Sequence, residues 1–443
     1  MDRLRSVAAA LLLVSCGRAP PPRNAGDLLK SGEAHFAGAR YEQAQQAFEG
    51  ALRLEPRLLP AIRGRVEAAR KRGAMPALIA ELSVRAGAAP RDALAWYALG
   101  LARFAQGEEK AAVAALSQAA ELSPDEADFH FRLGIALFDS ERFGEARAPL
   151  EKAMKLAPRA ARYRAPLAAC LARLGDRKAA IAVLRDVPSL EPTADEAALA
   201  VKTARAITDP FRGVPQPARP ELEAGLAHLL RDAPGLAIPV LEGLVKRFPD
   251  LAPAWSLLGL AAQRVDEAGR AVTALQRAAE LAPEMPQPHV YLAELYAARE
   301  RLDLAEGEYA AALERDPLDV ATLRKLGQLR LNRSRPRALE PLRRAAALAP
   351  ADDALQLLVA RAEAAGGEAA TAGARLEKLA QKRPEDPEVL LRLALLLFEE
   401  RGKAAEPARA ELTQRLEKLL EKVLSLQPQN AAATRMLTAI RAG

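Results

Sequence analysis

Runs of alanine and leucine about a dozen residues long are broken along this chain by glycine or proline, and the breaks are periodic. Pro56, Pro90, Pro124, Pro158 and Pro192 stand 34 residues apart. Pro249, Pro283, Pro317, Pro350, Pro384 and Pro428 follow with steps of 34, 34, 33, 34 and 44. If each unit begins 31 residues before its proline, the eighth place holds Gly32, Gly100, Gly134, Gly225 and Gly259, and Gly327 after a one-residue deletion. The twentieth place holds Ala44, Ala112, Ala146, Ala180, Ala237, Ala271, Ala305, Ala338 and Ala372. Both tryptophans, Trp96 and Trp255, fall at the fourth place.

This pattern predicts two short antiparallel helices per unit. They approach closely only where the crossing residues are small, which the eighth-place glycine and twentieth-place alanine provide. Larger residues such as Phe48, Leu116, Leu150, Leu275 and Tyr309 fill the space between. Gly73, Gly107, Gly175 and Gly367 fall just past the first helix, where left-handed backbone is needed to end it. The proline closes the second helix, because it lacks an N–H and disfavours helix in the residue before it. Asp92, Asp125 or Asp250 follows, suited to starting the next helix. A single unit cannot bury its apolar faces, so neighbours must stack.

These spacings resemble the tetratricopeptide repeat. The resemblance implies an all-α fold, a right-handed α-solenoid of about eleven helix-turn-helix units in two blocks. The expected organisation is a signal segment at 1–15, a lipidated cysteine and proline-rich tether at 16–24, and five units at 25–192. A linker helix and proline-rich connection at 193–217, six units at 218–428 and a capping helix at 429–443 complete it. Three places depart from the pattern. Val66 and Ala168 replace glycine at the eighth place, with looser packing expected there. The second is the stretch of about 25 extra residues between Pro192 and Ala218, and the third an insertion around Gly402–Glu411, which lengthens the last unit.

The N-terminus changes the picture of where the protein resides. Arg3 and Arg5 precede an apolar run from Val7 to Val14, far short of the roughly 20 residues that cross a bilayer as a helix. A basic head and short apolar run form the pattern of a secretory signal. Leu13-Val14-Ser15-Cys16 then resembles the lipobox of bacterial lipoproteins. That resemblance implies acylation of Cys16 and residence in the bacterial cell envelope, with Gly17 favouring the outer membrane facing the periplasm. Cys16 is thereby consumed, so Cys170 has no disulfide partner.

Candidate chemistry adds little. Aromatics make up 4% of the 443 residues, and the net charge of +7 is spread through alternating acids and bases without a basic block, so a nucleic-acid partner is not expected. No phosphate-binding glycine loop, nucleophile elbow or His-Glu-x-x-His occurs. His130 and His289 sit at the fourth place, His35 and His228 at the eleventh, where the family carries large packing residues. Neither a metal nor another cofactor is expected, and the chain reads as no enzyme.

In the resembled family the first helices line a concave surface. Tyr97, Leu101, Phe104, Phe131, Ile135 and Phe138 would line it in units 93–126 and 127–160, and Leu222, Leu226 and Leu229 in unit 218–251. An apolar strip of that size marks a protein-binding groove. The leading expectation is a membrane-anchored scaffold or adaptor that assists an envelope complex of secretion, pilus or polysaccharide-export type. The alternative is a periplasmic sensory module holding a glycan, peptidoglycan fragment or small molecule.

Overall fold

The computed structural model describes residues 24–333 and 337–442, and among them every regular element is helical. The signal segment and Cys16 lie outside the described residues. None of the described helices is long and apolar enough to cross a membrane. The chain forms two compact units, residues 1–157 and 158–443.

The first unit holds four helical pairs. These are α1 (Ala25–Ala37) with α2 (Tyr41–Leu54), α3 (Leu59–Lys71) with α4 (Met75–Ala88), α5 (Ala93–Gln106) with α6 (Glu109–Leu122), and α7 (Ala127–Asp139) with α8 (Phe143–Leu156). The eighth-place glycines explain their close approach. A Cβ added at Gly134 would come within 2.5 Å of Leu150 Cγ, and one at Gly100 within 2.6 Å of Leu116 Cγ. In α3 the small residue is instead Gly64, two places earlier, and it receives the Phe48 ring of the preceding pair. Val66 stands where the other pairs have glycine. A cavity of about 270 Å³ opens beside it, lined by Leu78 and Leu82 of α4 and Leu52 of α2.

The second unit begins with α9 (Arg164–Arg173), α10 (Arg177–Leu184) and α11 (Ala194–Ile207). The pairs α12 (Arg219–Leu230) and α13 (Pro234–Arg247), α14 (Ala252–Arg264) and α15 (Ala268–Leu281), and α16 (Gln287–Ala298) and α17 (Leu302–Arg315) follow. Next come α18 (Val320–Asn332) and α19 (Leu339–Leu348), α20 (Asp353–Ala365) and α21 (Ala369–Lys382), α22 (Pro387–Lys403) and α23 (Ala408–Leu426), and the last helix α24 (Ala431–Ala442). Segment 193–217 therefore lies inside this unit. Thr193 caps α11 through a reciprocal pair of hydrogen bonds with Glu196. α11 packs on both α9 and α19, and a 3-10 turn at Val187–Leu190 also meets α19. The early part of this unit is thus folded back onto helices more than a hundred residues later.

One turn geometry recurs in both units. The fifteenth place adopts left-handed backbone at Gly73, Gly107, Gly175 and Gly367, and equally at Ala39, Glu141, Asp232, Asp266 and Glu300. The next residue's N–H returns to the carbonyl five residues earlier, as in Arg142 N to Leu137 O at 2.9 Å and Glu267 N to Ala262 O at 2.9 Å. The hydrogen bond holds the conformation even where a side chain makes left-handed backbone unfavourable.

Candidate interaction surface

The strip expected on α5 and α7 divides by burial. Tyr97, Leu101 and Phe131 are buried, whereas Phe104, Ile135 and Phe138 are half-buried. Tyr97 stacks on Phe129 with ring centroids 4.6 Å apart, and its hydroxyl donates to Asp128. Burial, then the charge of Asp128, pushes that hydroxyl well above the ordinary phenol range, so Tyr97 keeps its proton as donor. Asp128 is itself buried and accepts from Arg63 at 3.0 Å, with Arg132 at 3.8 Å. Arg63, Tyr97 and Asp128 come from three successive first helices, so one carboxylate ties α3, α5 and α7 together. The half-buried side chains sit on a stiffened base: Phe138 is held edge-on to Phe143 with centroids 5.2 Å apart.

On α12 the outcome differs. Leu222 and Leu229 are buried and only Leu226 is half-buried. The irregular connection ahead of α12 supplies Phe211, Val214 and Ala218 to the same apolar cluster as Leu222, Leu229, Leu241 and Trp255. Arg219 fastens that connection by donating to the Phe211 carbonyl at 3.4 Å. Leu222 and Leu229 are therefore core residues, filled from within the chain, and present no surface there. Leu230, at the end of the helix, is 77% exposed.

The fourth place carries a role that its bulk conceals. Trp96 Nε1 donates to the Pro90 carbonyl at 3.0 Å, and Trp255 Nε1 to that of Pro249 at 2.8 Å. His130 Nε2 meets the Pro124 carbonyl at 2.8 Å, Arg164 that of Pro158 at 2.9 Å, and Gln356 that of Pro350 at 3.4 Å. Each bond satisfies the carbonyl of the repeat proline six residues earlier, a group left without an intrahelical partner. Where the fourth place is Leu323, Arg344 reaches the Pro317 carbonyl at 2.9 Å instead. Desolvation lowers the pKa of His130, which keeps the ring neutral, with Nε2 as the donor. His289 turns to Glu308 at 2.7 Å, and there Arg315 supplies the donor to the Pro283 carbonyl at 2.5 Å. His35 accepts from Arg40.

Cys170 is fully buried in α9. Among the described residues, no three His, Cys, Asp or Glu side chains gather in a way that could hold a metal ion. The buried ionisable groups are instead tied to neighbours. Glu363, with no exposed surface, accepts from Arg375 at 2.9 and 3.0 Å and from Arg343 at 3.4 Å. Asp316 accepts from Thr208 at 3.3 Å and from the Leu318 N–H at 3.1 Å. Burial, reinforced by Asp319, pushes its carboxyl up to about 6.

These packed helical pairs define an all-α solenoid. Family models described as tetratricopeptide repeats match residues 100–141, 137–204 and 256–320. Three tetratricopeptide-repeat models thus match parts of the chain and support a repeat protein of that kind, and proteins of that class generally mediate protein–protein interaction. Among solved structures it is similar to Pseudomonas aeruginosa pilF, at 17% identity over 50% of this chain and 97% of that one, with a TM-score of 0.40. It is also similar to YrrB, described as a TPR protein with an unusual peptide-binding site, at 17% identity over 44% and 96%, with a TM-score of 0.39. The Cut9–Hcn1 hetero-tetramer of APC/C aligns over 94% and 96% at 13% identity, with a TM-score of 0.36. No curated protein is significantly similar to this sequence.

Proposed function

We propose that this chain is a non-catalytic interaction scaffold anchored to a bacterial envelope membrane through acylated Cys16, and that its partner is a protein docked on Phe104, Ile135 and Phe138. One observation carries the reading. Three large apolar side chains on successive first helices stay half-open to solvent, while the residues beneath them are fixed by the Tyr97–Asp128–Arg63 network. Preorganised aromatic anchors lower the ordering cost of binding. Gly17 after the lipobox cysteine supports outer-membrane residence facing the periplasm, and the pairing of a lipid anchor with a long recognition surface supports service to a secretion, pilus or polysaccharide-export machine. The tryptophan N–H groups are engaged with proline carbonyls, so they offer no free donor to a glycan. Much of the basic charge is paired with acids, which favours a protein partner over nucleic acid.

The anchor is tested by Cys16→Ser, which releases the protein from the membrane fraction; retention there contradicts it. The docking strip is tested by Phe104→Ser with Phe138→Ser. The folded double variant loses a partner that co-purifies stoichiometrically with the parent chain, and undiminished recovery contradicts the assignment.

A further inference from the structure

The second unit contains a cavity built from its early helices and the ends of two later pairs. It lies between α10, the end of α11 and the chain ends around α15 and α17, and encloses about 550 Å³. That volume falls in the range of ordinary ligand sites. Its apolar wall includes Ile181 of α10 and Ile207 at the end of α11.

Its charges are unbalanced. Arg177, Lys178, Arg185 and Arg315 line it against two carboxylates, Glu284 and Glu314, leaving a net charge of +2. Elsewhere in this unit arginines are drawn to acids, as in Arg299 with Asp266 at 2.7 Å and Arg375 with Glu363 at 2.9 Å. Here Arg177 alone is paired, with Glu284 at 3.5 Å, and it also donates to the Ile207 carbonyl at 2.5 Å. Those two contacts fasten α10 to both neighbouring walls. Among the described residues Lys178, Arg185 and Arg315 have no carboxylate within salt-bridge range, and Arg315 is held by backbone carbonyls at Pro283 and Ala311. Arg185 lies 3.5 Å from the Glu314 carbonyl. Lys178 and Arg185 are exposed at the rim.

We infer that this cavity binds an acidic peptide segment. Its carboxylates would meet Arg185, Lys178 and Arg315, and an aliphatic side chain between them would cover the half-buried Ile181. Charge complementarity selects the occupant: the cations exceed their counter-charges, and the guanidinium fork matches a carboxylate in two-point contact. The aliphatic wall separates such a peptide from a purely polar anion. None of the residues lining it belongs to the strip on α5 and α7.

The test uses the full chain and a fluorescein-labelled peptide of alternating glutamate and leucine, followed by fluorescence anisotropy. Saturable binding is expected, with none for the matching lysine–leucine peptide. Lys178→Glu with Arg185→Glu weakens binding on the order of tenfold or more. Both positions are exposed, and circular dichroism confirms that the variant is folded. Phe104→Ser with Phe138→Ser leaves this affinity unchanged. Equal affinity for the two peptides, or full affinity in the charge-reversed variant, overturns the assignment. Displacement of the peptide by an equal concentration of citrate also overturns it, because that marks a site for small anions.

Discussion

The first helices of units 93–126 and 218–251 carry the same kind of apolar stripe and meet opposite fates. On α5 and α7, Phe104, Ile135 and Phe138 stay half-open above a buried layer. On α12, Leu222 and Leu229 are buried in a cluster that includes Phe211 and Val214. The stripe itself does not decide the outcome. What decides it is whether another part of the chain is long enough and apolar enough to cover it. The connection before α12 supplies Phe211 and Val214, whereas the short turns bounding α5 and α7 leave the strip half-open. An apolar stripe is thus a binding surface only where the chain has left it uncovered.

The largest test of this contrast is paired truncation. Leu222→Ala should lower the unfolding free energy by about 2–4 kcal/mol, whereas Phe104→Ala should cost less than about 1 kcal/mol. Equal costs in denaturant titration would erase the distinction between covered and open stripes. Next in size is the network beneath the open strip. Tyr97→Phe removes the donor to Asp128 and should cost about 1–2 kcal/mol, measured by the same titration, because the buried carboxylate keeps only its arginine partners. A neutral result would mean that the base of the strip is not stiffened by that bond.

A pH effect follows from the fold-back in the second unit. Asp316, against Thr208 at the end of α11, has its carboxyl pushed up to about 6. A raised carboxyl favours the protonated form in the folded state. Its stabilising contribution is therefore complete below the unfolded value and lost as pH rises through about 6. Relative to Asp316→Asn, the parent chain should gain about 1 kcal/mol between about pH 8 and about pH 5. Parallel pH profiles for the two proteins would contradict that placement. The smallest effect is at the turns. Glu141 holds φ 59° where other units have glycine, so Glu141→Gly should stabilise by about 0.5–1 kcal/mol. A loss of stability would show that its side chain makes a compensating contact.

The all-α solenoid was legible because its determinants are steric and strictly periodic: proline ends a helix, and glycine admits the leucine sixteen residues on. Other features were not. Gly73, Gly107, Gly175 and Gly367 mark left-handed turns in the sequence, but Glu141 and Asp266 adopt the same backbone because the next residue's N–H bonds the carbonyl five residues earlier, whatever the side chain. The fourth-place residues read as bulk, since a shared N–H donor in Trp, His, Arg and Gln leaves no hydropathy signal. A side-chain N–H recurs six places after Pro90, Pro124, Pro158, Pro249, Pro283 and Pro350, and that recurrence is the clue in the sequence. The burial of Leu222 and Leu229 depends on Phe211 and Val214, and the packing of α11 on α19 joins residues far apart in sequence. Neither has a periodic signature.

The most direct test of the scaffold account is photo-crosslinking from position 104 of the full chain. A photoreactive residue replacing Phe104 should capture one protein partner in stoichiometric yield, while one replacing the exposed Glu121 on α6 captures none. Equal capture from both positions, or none from position 104 while the partner still co-purifies, would contradict the claim that the open strip is the docking surface.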